Sequence, residues 1–546
     1  MTLGARRAGG EEARYSEGTS WREPRITACM TLRELIADAG LDPSAVRRTG
    51  TAPPGGTGRG ESWPDIGDLA YRSESVAPGA LFFCVPGFKA DGHEFAEDAV
   101  ARGAAALVCE RELEVAVPQV VVPSVRAAMA PIAAAFNGHP TKRLSVVGVT
   151  GTNGKTTTCF LVRDVLEAGG IQTALLGTVQ SVVGGAVEEV ERTTPEAVDL
   201  QRSFRRMVES GDEACVMEVS SHALELRRAD CIDFDCAVFT NLSQDHLDFH
   251  DTLDAYFEAK RRLFAMTNVP VSVVNVDDEW GRKLAAELAG GATGLVTFAV
   301  ERDADLRARS VVSTAAGSRF DCVAGGETVQ VSMPLPGLFN VYNALGALGA
   351  ARAIGVPLDR AAVSLAGAGA IPGRFEPIEE GQDFTVLVDY AHTPDSLANV
   401  LRASRELLDN ASNGVRAGRL LCVFGAGGDR DRDKRPQMGN VARSLADHVI
   451  VTSDNPRSED PRAIIDAIVA GAEQAEPASS LLEVEPDRRA AIARALAAAG
   501  HGDVVVIAGK GHEQGQEFEA GRKVPFDDRD VAREELRALS RSSAPT

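Results

Sequence analysis

Short runs of β-branched and other apolar residues alternate with helix-forming segments along most of the chain. Between residues 30 and 142, the runs LFFCVPG and AALVCE stand among helical segments such as TLRELIADAGL. Continuous apolar runs of this length are typical of strands buried on both faces, as in parallel sheets covered by helices. The pattern predicts an α/β fold built on parallel sheets. Further predicted strands, in chain order, are LSVVGV, ACVMEVS, CAVFT, VSVVNV, TVLVDY, LLCVFG, HVIVTS and DVVVIAG.

The chain is long enough for about three domains. It has 546 residues, and a single domain typically contains roughly 100–200. Residues 1–29 are polar and lack hydrophobic periodicity, which predicts a flexible N-terminal extension. The grouping of the strand runs then predicts domains at 30–142, 143–371 and 372–546.

Composition and charge narrow the class of protein. A formal net charge of −21, with 44% hydrophobic and 25% charged residues, indicates an acidic globular chain and argues against a nucleic-acid partner. No apolar run approaches the roughly 20 residues that span a bilayer, and the N-terminus lacks the apolar segment of a secretory signal. Nine scattered cysteines without a C-x-x-C pair favour free thiols in a reducing compartment. We therefore predict a cytoplasmic protein with no membrane insertion.

Polar or glycine-rich segments follow one predicted strand after another. Ligands of open parallel sheets bind outside the carboxyl ends of the strands, so these segments predict a shared site. A solvated turn explains any one of them, but explains so many together poorly. The segments are GTNGKTT, SSHALELR, NLSQDHLDFH, GAGGDRDRDKR, DNPRSED and GKGHEQ.

The first of these segments lies between a predicted strand and a predicted helix. Backbone N–H groups and the helix dipole favour phosphate at such a helix N-terminus. Lys155 would neutralise β/γ-phosphate charge and the Thr156 hydroxyl would ligate Mg²⁺. A turn that happens to contain Gly-Lys-Thr is the alternative, and the order of strand and helix favours ATP binding. The loop residues are Gly151, Thr152, Asn153, Gly154, Lys155, Thr156 and Thr157.

This loop sequence resembles the ATP loop of the Mur ligase superfamily, the ATP-dependent amino-acid ligases of peptidoglycan precursor synthesis. Relatives that glutamylate folate typically carry Gly-Ser after the lysine, whereas Thr156 and Thr157 stand here. The resemblance covers nearly the whole chain after the first few dozen residues. It implies a UDP-substrate-binding N-terminal domain, a central P-loop parallel-sheet ATPase domain and a C-terminal Rossmann-like domain that binds an amino acid.

Glu218, His246 and Lys260 are candidate metal residues. Activation of a carboxylate by ATP needs Mg²⁺ and hard oxygen ligands. Glu218 closes the strand ACVMEV, and His246 lies in SQDHLDFH, where a structural histidine is the alternative. Lys260 falls on an apolar helical stripe with Tyr256, and a lysine whose head stays in water is its alternative. In the resemblance, Lys260 in YFEAK matches a carbamylated lysine (N6-carboxylysine) that helps hold a second Mg²⁺.

The resemblance points to the branch that adds 2,6-diaminopimelate to a UDP-linked muramoyl dipeptide through an acyl phosphate. It implies ATP contacts from Asn340, Asn343 and Arg374. The family's Asp-Ser-Arg motif is Arg72-Ser73-Glu74 here. The residues implied for the UDP substrate are Ser73, Phe88, Lys89, Ala90, Thr193, Thr194, Ser220 and Arg228.

A second set of residues is implied for the incoming amino acid. Diaminopimelate carries a distal carboxylate that lysine lacks, so Arg457 in the DNPR motif is the expected discriminator. Arg430 would pair with a carboxylate, and Glu513 would attract the distal ammonium. The full set is Arg430, Asp454, Asn455, Pro456, Arg457, Gly509 and Glu513.

Two kinds of alternative stay open at this point. One is a ligase of the same superfamily that adds another amino acid, such as L-lysine, or a folylpolyglutamate synthase. The other is a nucleotide-binding regulatory protein that has lost catalysis, against which the set Lys155, Glu218, His246 and Lys260 argues. The predicted partners are small molecules (the UDP-linked dipeptide, diaminopimelate and ATP), and the predicted state is a monomer.

Overall fold

The chain is described here by a computed structural model, which forms two compact units. The first unit is drawn from Met1–Leu144, Pro195–Glu209 and Leu226–Ile232, and the second from the remainder. The predicted extension and the predicted site residues Phe88 and Lys89 lie outside the described residues. The described residues are 30–47, 63–87, 90–188, 190–266, 269–291, 293–314, 316–411, 418–475 and 480–542.

Strands and helices alternate along the chain, and each predicted strand run contains one of the strands. The strands are β1 (Met30–Thr31), β2 (Val46–Arg47), β3 (Asp65–Ile66), β4 (Asp68–Ala70), β5 (Ala80–Phe83), β6 (Ala106–Cys109), β7 (Gln119–Val121), β8 (Ser145–Thr150), β9 (Thr173–Leu176), β10 (Ser181–Val183), β11 (Ala186–Glu188), β12 (Ala214–Glu218), β13 (Cys236–Phe239), β14 (Val271–Asn275), β15 (Gly294–Ala299), β16 (Leu306–Thr314), β17 (Gly317–Ala324), β18 (Glu327–Met333), β19 (Glu376–Pro377), β20 (Thr385–Asp389), β21 (Leu420–Phe424), β22 (His448–Val451), β23 (Leu481–Val484), β24 (Val504–Ala508), β25 (Gly515–Glu517) and β26 (Lys523–Pro525). The α-helices are α1 (Leu32–Asp38), α2 (Ala96–Ala101), α3 (Val125–Phe136), α4 (Lys155–Ala168), α5 (Ala197–Ser210), α6 (Ser221–Glu225), α7 (Leu247–His250), α8 (Leu253–Ala265), α9 (Glu279–Leu288), α10 (Leu338–Ala353), α11 (Leu358–Ser364), α12 (Pro394–Ala411), α13 (Lys434–Leu445), α14 (Pro461–Ala472), α15 (Arg488–Ala498) and α16 (Asp528–Ser542).

The first unit contains a five-stranded sheet in the order β2-β7-β6-β5-β4. Its strands β4 to β7 pair in parallel, and β2 adds antiparallel at one edge. Helix α1 begins at a capping box, in which the Thr31 hydroxyl accepts from the Glu34 amide and the Glu34 carboxylate accepts from the Thr31 amide. Leu35 of this helix is buried in the same core as Leu81 of β5, so the predicted segment TLRELIADAGL forms the helix that the sequence indicates.

The second unit contains an eleven-stranded sheet in the order β11-β10-β9-β12-β8-β13-β14-β15-β16-β17-β18. Its middle is parallel from β9 to β16, as predicted. Antiparallel strands extend both edges, so the sheet as a whole is mixed, which the sequence analysis did not anticipate. In β17, Phe320 and Cys322 are buried while Arg319 is exposed, so this extension covers the core with one face only.

A six-stranded sheet in the order β19-β20-β24-β21-β22-β23 follows in the same unit. Strands β20 to β24 pair in parallel, and β19 adds antiparallel beside β20. The segments after β21, β22 and β24 therefore lie at one edge of the sheet, where the carboxyl ends of neighbouring strands meet. This edge carries the predicted amino-acid residues.

Two smaller predictions concern cysteines and membranes. Within the described part of the chain, none of the eight cysteines forms a disulfide; seven of them are buried and Cys231 is exposed. None of the described helices is both long enough and apolar enough to span a bilayer.

Candidate active site

A cavity of about 590 Å³ lies in the second unit, at the carboxyl ends of strands from both of its large sheets. The phosphate loop after β8 lines one wall, and residues that follow β13 and β20 line others. The first turns of α12 complete the wall near Asp395 and Asn399. The predicted site residues that line it are Thr152, Asn153, Gly154, Lys155, Thr156, Thr157, Thr193, Glu218, Ser220, His246, Lys260, Asn343 and Arg374.

The phosphate loop needs glycine at two positions. Gly151 has φ +151°, and a Cβ atom there would overlap the Thr240 hydroxyl. Gly154 has φ +83°, and its Cβ atom would overlap the Asn343 side-chain oxygen. The loop is tied down by a 2.6 Å hydrogen bond from the Thr240 hydroxyl to the Asn153 carbonyl. The N-terminus of α4 lines the cavity at Gly154 and Lys155, and a helix N-terminus favours a phosphate group.

Two lysines from different elements converge on this loop. Lys155 Nζ donates to the Gly151 carbonyl at 3.0 Å, and Lys260 Nζ donates to the same carbonyl at 2.7 Å. Lys260 is 1% exposed, and its Nζ lies 4.4 Å from the centre of the Tyr256 ring. The side chain is not one whose head stays in water, which was the alternative from the sequence. Burial, reinforced by the positive charge of Lys155, holds the pKa of Lys260 well below its usual range.

Glu218 also lines the cavity and accepts hydrogen bonds from neighbouring polar groups. Its Oε1 accepts from the Thr156 hydroxyl at 2.9 Å and from the Thr178 amide at 2.7 Å. Arg374 Nη2 in turn donates to the Thr156 hydroxyl at 3.0 Å. The phosphate-loop hydroxyl and the carboxylate at the end of β12 therefore form one hydrogen-bonded unit of hard oxygen atoms.

The two threonines predicted to bind the UDP substrate, Thr193 and Thr194, lie close to the Glu218 carboxylate or its backbone. Thr193 and Thr178 share a hydroxyl–hydroxyl hydrogen bond of 3.0 Å, and the Thr194 hydroxyl donates to the Glu218 carbonyl at 2.8 Å. The Ser220 amide donates to the Thr194 hydroxyl at 3.1 Å. Thr193 and Ser220 line the cavity, whereas Thr194 is buried behind them.

His246 and Asp245 occupy the floor of the cavity. His246 stands in the left-handed region with φ 54°, and its Nε2 lies 3.3 Å from the Asp245 carboxylate. Burial lowers the pKa of His246 to about 3, helped by His222 and by the two lysines and opposed by Asp245. Glu218, His246 and Lys260 all line the cavity, and among the described residues no three or more His, Cys, Asp or Glu side chains are grouped as ready metal ligands.

The sequence analysis missed Asp245 as a site residue, although it quoted the segment SQDHLDFH. The Asp245 carboxylate is buried and has His392 at 3.8 Å and Lys434 at 4.0 Å. Coulombic interactions with His246, His392 and Lys434 hold the pKa of Asp245 well below its usual range despite its burial. Asp395 was missed as well, and its carboxylate accepts from Asn153 Nδ2 at 2.8 Å. Its position shortly after the predicted strand TVLVDY was the available signal for it.

The two predicted asparagines of α10 differ in position. Asn343 lines the cavity beside Gly154, and its Nδ2 donates to Asn340 Oδ1 at 3.1 Å. Asn340 is buried and donates to the Pro336 carbonyl at 2.8 Å, so it lies behind Asn343. Asn343 is therefore placed to meet a ligand in the cavity directly, whereas Asn340 supports Asn343 from behind.

The predicted amino-acid residues gather at the edge of the six-stranded sheet. Asn455 Nδ2 donates to Glu513 Oε2 at 2.8 Å, and Arg457 donates to the Gly428 carbonyl at 2.8 Å and to Glu517 at 2.9 Å. Arg457 has φ 51°, a backbone conformation that costs a non-glycine residue roughly 1 kcal/mol or more. Pro456 and Arg430 flank the same loops, and Arg430 is exposed.

Gly509 and Asp454 form the base of this cluster. Gly509 has φ +116°, and a Cβ atom there would lie 2.7 Å from Asp454 Oδ2. Asp454 is buried and its Oδ1 lies 3.6 Å from Lys510 Nζ. Asp454 therefore supports the loop from below, while Arg430, Arg457 and Glu513 retain exposure to solvent.

Three of the residues predicted for the UDP substrate, Ser73, Ala90 and Arg228, lie in the first unit. Arg228 Nη2 lies 3.0 Å from the Glu196 carboxylate, and its side chain is 14% exposed. Ser73 begins a short 3₁₀ turn at 73–75, and Ala90 is exposed.

Comparisons with known proteins agree with this geometry. Family models match residues 66–139 (Mur ligase family, catalytic domain), 149–351 (Mur ligase middle domain) and 373–511 (Mur ligase, glutamate ligase domain). A Bacillus cereus protein named UDP-N-acetylmuramoyl-L-alanyl-D-glutamate–2,6-diaminopimelate ligase is 44% identical over 485 residues, which is 87% of this chain and 94% of that protein. The chain belongs to the Mur ligase family.

Further members of the family support the same placement. A Geobacillus thermodenitrificans relative of the same name is 46% identical over 477 residues, covering 86% of this chain and 94% of its own. A solved structure of a 2,6-diaminopimelate ligase of that name is 33% identical with a TM-score of 0.63, covering 89% of this chain and 98% of its own. The predicted α/β fold with three Mur ligase segments is confirmed, and ATP-dependent ligation is the activity of this family.

Proposed function

We propose that this Mur ligase uses ATP to join 2,6-diaminopimelate to UDP-N-acetylmuramoyl-L-alanyl-D-glutamate, a step of peptidoglycan precursor synthesis. The convergence of Lys155 and Lys260 on the Gly151 carbonyl, in one cavity with Glu218, carries the proposal. Relatives with this activity in their names are 44% and 46% identical to the chain over nearly their whole length.

The reaction takes place in two transfers. The D-glutamyl γ-carboxylate oxygen attacks the γ-phosphorus of ATP, which breaks the bond to the β-phosphate oxygen and releases ADP. The amine nitrogen of diaminopimelate then attacks the acyl carbon, phosphate leaves with the bridging oxygen, and the nitrogen loses a proton to water. Positioning and electrostatic stabilisation supply such catalysis without an enzyme nucleophile. Lys155 at the N-terminus of α4 is placed to hold the transferred phosphoryl group.

The residues beside the phosphate loop fit Mg²⁺. Thr156 Oγ1 and Glu218 Oε1 are hard oxygen donors 2.9 Å apart, at the end of a strand adjacent to the loop. Bound Mg²⁺ would lower the negative charge of the triphosphate toward the attacking carboxylate. Arg374 holds the Thr156 hydroxyl from the other side and so keeps it at the loop.

Carbamylation of Lys260 is part of this proposal. An amine adds CO₂ only in its neutral form, which burial of Lys260 favours. The product is an anion with two oxygen atoms, directed into the cavity beside His246. NMR of the protein in ¹³C-enriched CO₂ should show a carbamate signal, and the variant Lys260→Met should lack it. The control variant Lys283→Met, which changes an exposed lysine of the neighbouring helix, should retain it. Equal spectra of all three proteins would contradict the carbamate.

The amino-acid side of the proposal rests on charge complementarity. Arg430 and Arg457 flank Gly427, since a Cβ atom there would lie 3.9 Å from Arg430 Cγ and 3.0 Å from Arg457 Nη1. A pair of guanidinium groups at one loop suits a substrate with two carboxylates. Glu513 offers a carboxylate to an ammonium group. Diaminopimelate has both kinds of group at both ends, whereas lysine lacks the distal carboxylate.

The UDP substrate is assigned to the residues that the resemblance implies. Ser73, Phe88, Lys89, Ala90 and Arg228 would bind the nucleotide-sugar part. Thr193, Thr194 and Ser220 lie around Glu218, where the carboxylate to be activated must enter. We propose in addition that the protein is a monomer and acts in the cytoplasm.

Release of ADP and phosphate with a panel of substrates tests the proposed function. The purified chain is incubated with ATP, Mg²⁺ and the UDP-linked dipeptide, and with meso-diaminopimelate, LL-diaminopimelate, L-lysine or L-glutamate in turn. We expect stoichiometric ADP and tripeptide product only with a diaminopimelate isomer. Omission of Mg²⁺ should abolish turnover.

Three other outcomes would overturn the proposal in different ways. Preference for L-lysine would make the chain a ligase for another amino acid. A parallel incubation of the chain with ATP, Mg²⁺, a folate and L-glutamate that releases ADP would indicate a folylpolyglutamate synthase. Binding of ATP without substrate-dependent ADP release, under every combination, would indicate a nucleotide-binding protein without catalysis.

A further inference from the structure

Lys510 is a fully buried lysine beneath the amino-acid cluster. Its side chain is 0% exposed. Its Nζ donates to Asn455 Oδ1 at 2.9 Å and to Glu513 Oε2 at 2.9 Å, and lies 3.6 Å from Asp454 Oδ1. Neither the sequence motifs nor the family comparisons give this residue a role. A buried ammonium is costly unless its partners compensate it, so these three contacts need an explanation.

Lys510 belongs to a buried ionic cluster that reaches solvent at one member. The cluster consists of the carboxylates of Asp454, Glu513 and Asp528 and the cations of Lys510 and Arg488. Four of its side chains are 0–7% exposed, whereas that of Glu513 is 31% exposed. Glu513 is therefore the carboxylate through which this cluster reaches solvent.

The surrounding backbone leaves Glu513 little freedom. The Glu513 amide donates to the Lys510 carbonyl at 2.9 Å, so both residues belong to one turn after β24. Asn455 Nδ2 donates to Glu513 Oε2 at 2.8 Å, and the Glu517 amide donates to Asn455 Oδ1 at 3.0 Å. Lys510 and Asn455 thus hold the same carboxylate oxygen, Oε2, which leaves Oε1 for a ligand.

We propose that Lys510 is a positioning residue that presents Glu513 Oε1 to an ammonium group of the incoming diamino acid. It neutralises Asp454 from below and fixes Glu513 from the side, so that one carboxylate oxygen meets the substrate in a set direction. The proposal rests on the proposed function, because it assigns the substrate group that this cluster binds. Glu513 touches the substrate, and Lys510 acts through it.

Steady-state kinetics of charge-removing variants test this assignment. Lys510→Met removes the charge at nearly the same length, and Lys510→Gln keeps a hydrogen-bond donor without the charge. We expect a KM for diaminopimelate at least tenfold higher in Lys510→Met, since a lost hydrogen bond to a charged group is worth that or more, and a smaller rise in Lys510→Gln, which keeps a donor. The KM for ATP should stay within twofold, because the phosphate loop is unchanged. Lys523→Met, at an exposed position of β26, is the matched control and should behave as the parent chain.

The double variant separates positioning from a general structural role. If Lys510 acts through Glu513, Lys510→Met with Glu513→Gln should raise the KM for diaminopimelate no more than Glu513→Gln alone. Fully multiplicative effects, or equal losses in the KM for ATP and for diaminopimelate, would overturn the proposal. If the variants fail to fold, the parent chain crystallised with diaminopimelate decides. Glu513 Oε1 should contact a substrate nitrogen while Oε2 stays on Lys510, and a substrate bound away from Glu513 would refute it.

Failure of the proposed function would give a different result. If the panel shows that the parent chain uses another amino acid, the same kinetic comparison is made with that amino acid. An unchanged KM for an accepted amino acid in both Lys510 variants would refute the positioning role alone. Absence of turnover in the parent chain would refute the proposed function.

Discussion

The pair Arg488 and Asp528 allows a quantitative prediction. Both side chains are 0% exposed, and Arg488 donates to Asp528 through Nε at 2.7 Å and Nη2 at 2.6 Å. Asp528→Asn removes the countercharge while keeping the volume, and Arg488 remains charged because its pKa is far above any accessible pH. Removing one partner of a buried pair costs about 3–5 kcal/mol. For a domain of roughly 150–250 residues, this loss of free energy corresponds to a drop of roughly 6–20 °C in Tm.

Replacing the arginine instead of the aspartate should make the loss of stability depend on pH. In Arg488→Met, Asp528 is a buried lone carboxyl group, so its pKa rises above the unfolded value. The folded state then binds a proton that the unfolded state has released, and the stability deficit grows as pH rises through that interval. The deficit should therefore shrink on acidification for Arg488→Met but not for Asp528→Asn.

Urea unfolding of the two variants at pH 5 and pH 8 measures these differences, with the parent chain at each pH as reference. The combined substitution Arg488→Met with Asp528→Leu should recover most of the stability, since an apolar pair replaces the ionic one at similar volume. Losses below about 1 kcal/mol in both single variants would refute the reasoning. So would a double variant that is less stable than either single one.

Three further predictions concern the active site. Lys155→Ala should abolish substrate-dependent ADP release while Lys142→Ala, at an exposed position, does not, and near-normal turnover would contradict the phosphate-loop assignment. Arg457→Ala should reduce the preference for diaminopimelate over lysine by roughly tenfold or more, measured as a ratio of kcat/KM, because a charged hydrogen bond is lost. Burial raises the pKa of Asp389 to about 6, so the free energy of unfolding should fall by roughly 2 kcal/mol as pH rises from about 4 to 6. Asp389→Asn should flatten that dependence in urea titrations, and parallel curves would contradict it.

The parallel strands could be predicted from sequence because their signal is local. Strands buried on both faces are continuous apolar runs, as in β8 and β21. Edge strands do not carry this signal. β23 is half-exposed, and β18 alternates exposed and buried residues, so neither stands out as an apolar run. Edge strands such as the parallel β23 and the antiparallel β18 were accordingly missed.

The site shows a different limit of sequence reasoning. Polar residues after strands indicate where a site lies, but not which of them meets the ligand. Asp454 and Asn455 are neighbours in the DNPR motif, yet Asp454 is buried against Lys510 while Asn455 holds Glu513. Lys510 itself lies inside the quoted segment GKGHEQ, and only the packing of β24 against β21 and β20 reveals its burial. A residue's role as ligand or as support is set by tertiary contacts.

The Gly151 carbonyl connects the ATP loop with the proposed carbamylation of Lys260, because both Lys155 and Lys260 donate to it. Two ammonium groups on one acceptor repel each other, and neither forms an ion pair with a carboxylate among the described side chains. Burial removes the conflict by favouring neutral Lys260, which is also the form that CO₂ requires. Conversion to a carbamate would replace repulsion between Lys155 and Lys260 by attraction. The positive charge of Lys155 thus favours carbamylation of its neighbour, and Lys155→Ala should weaken the carbamate signal as well as ATP turnover.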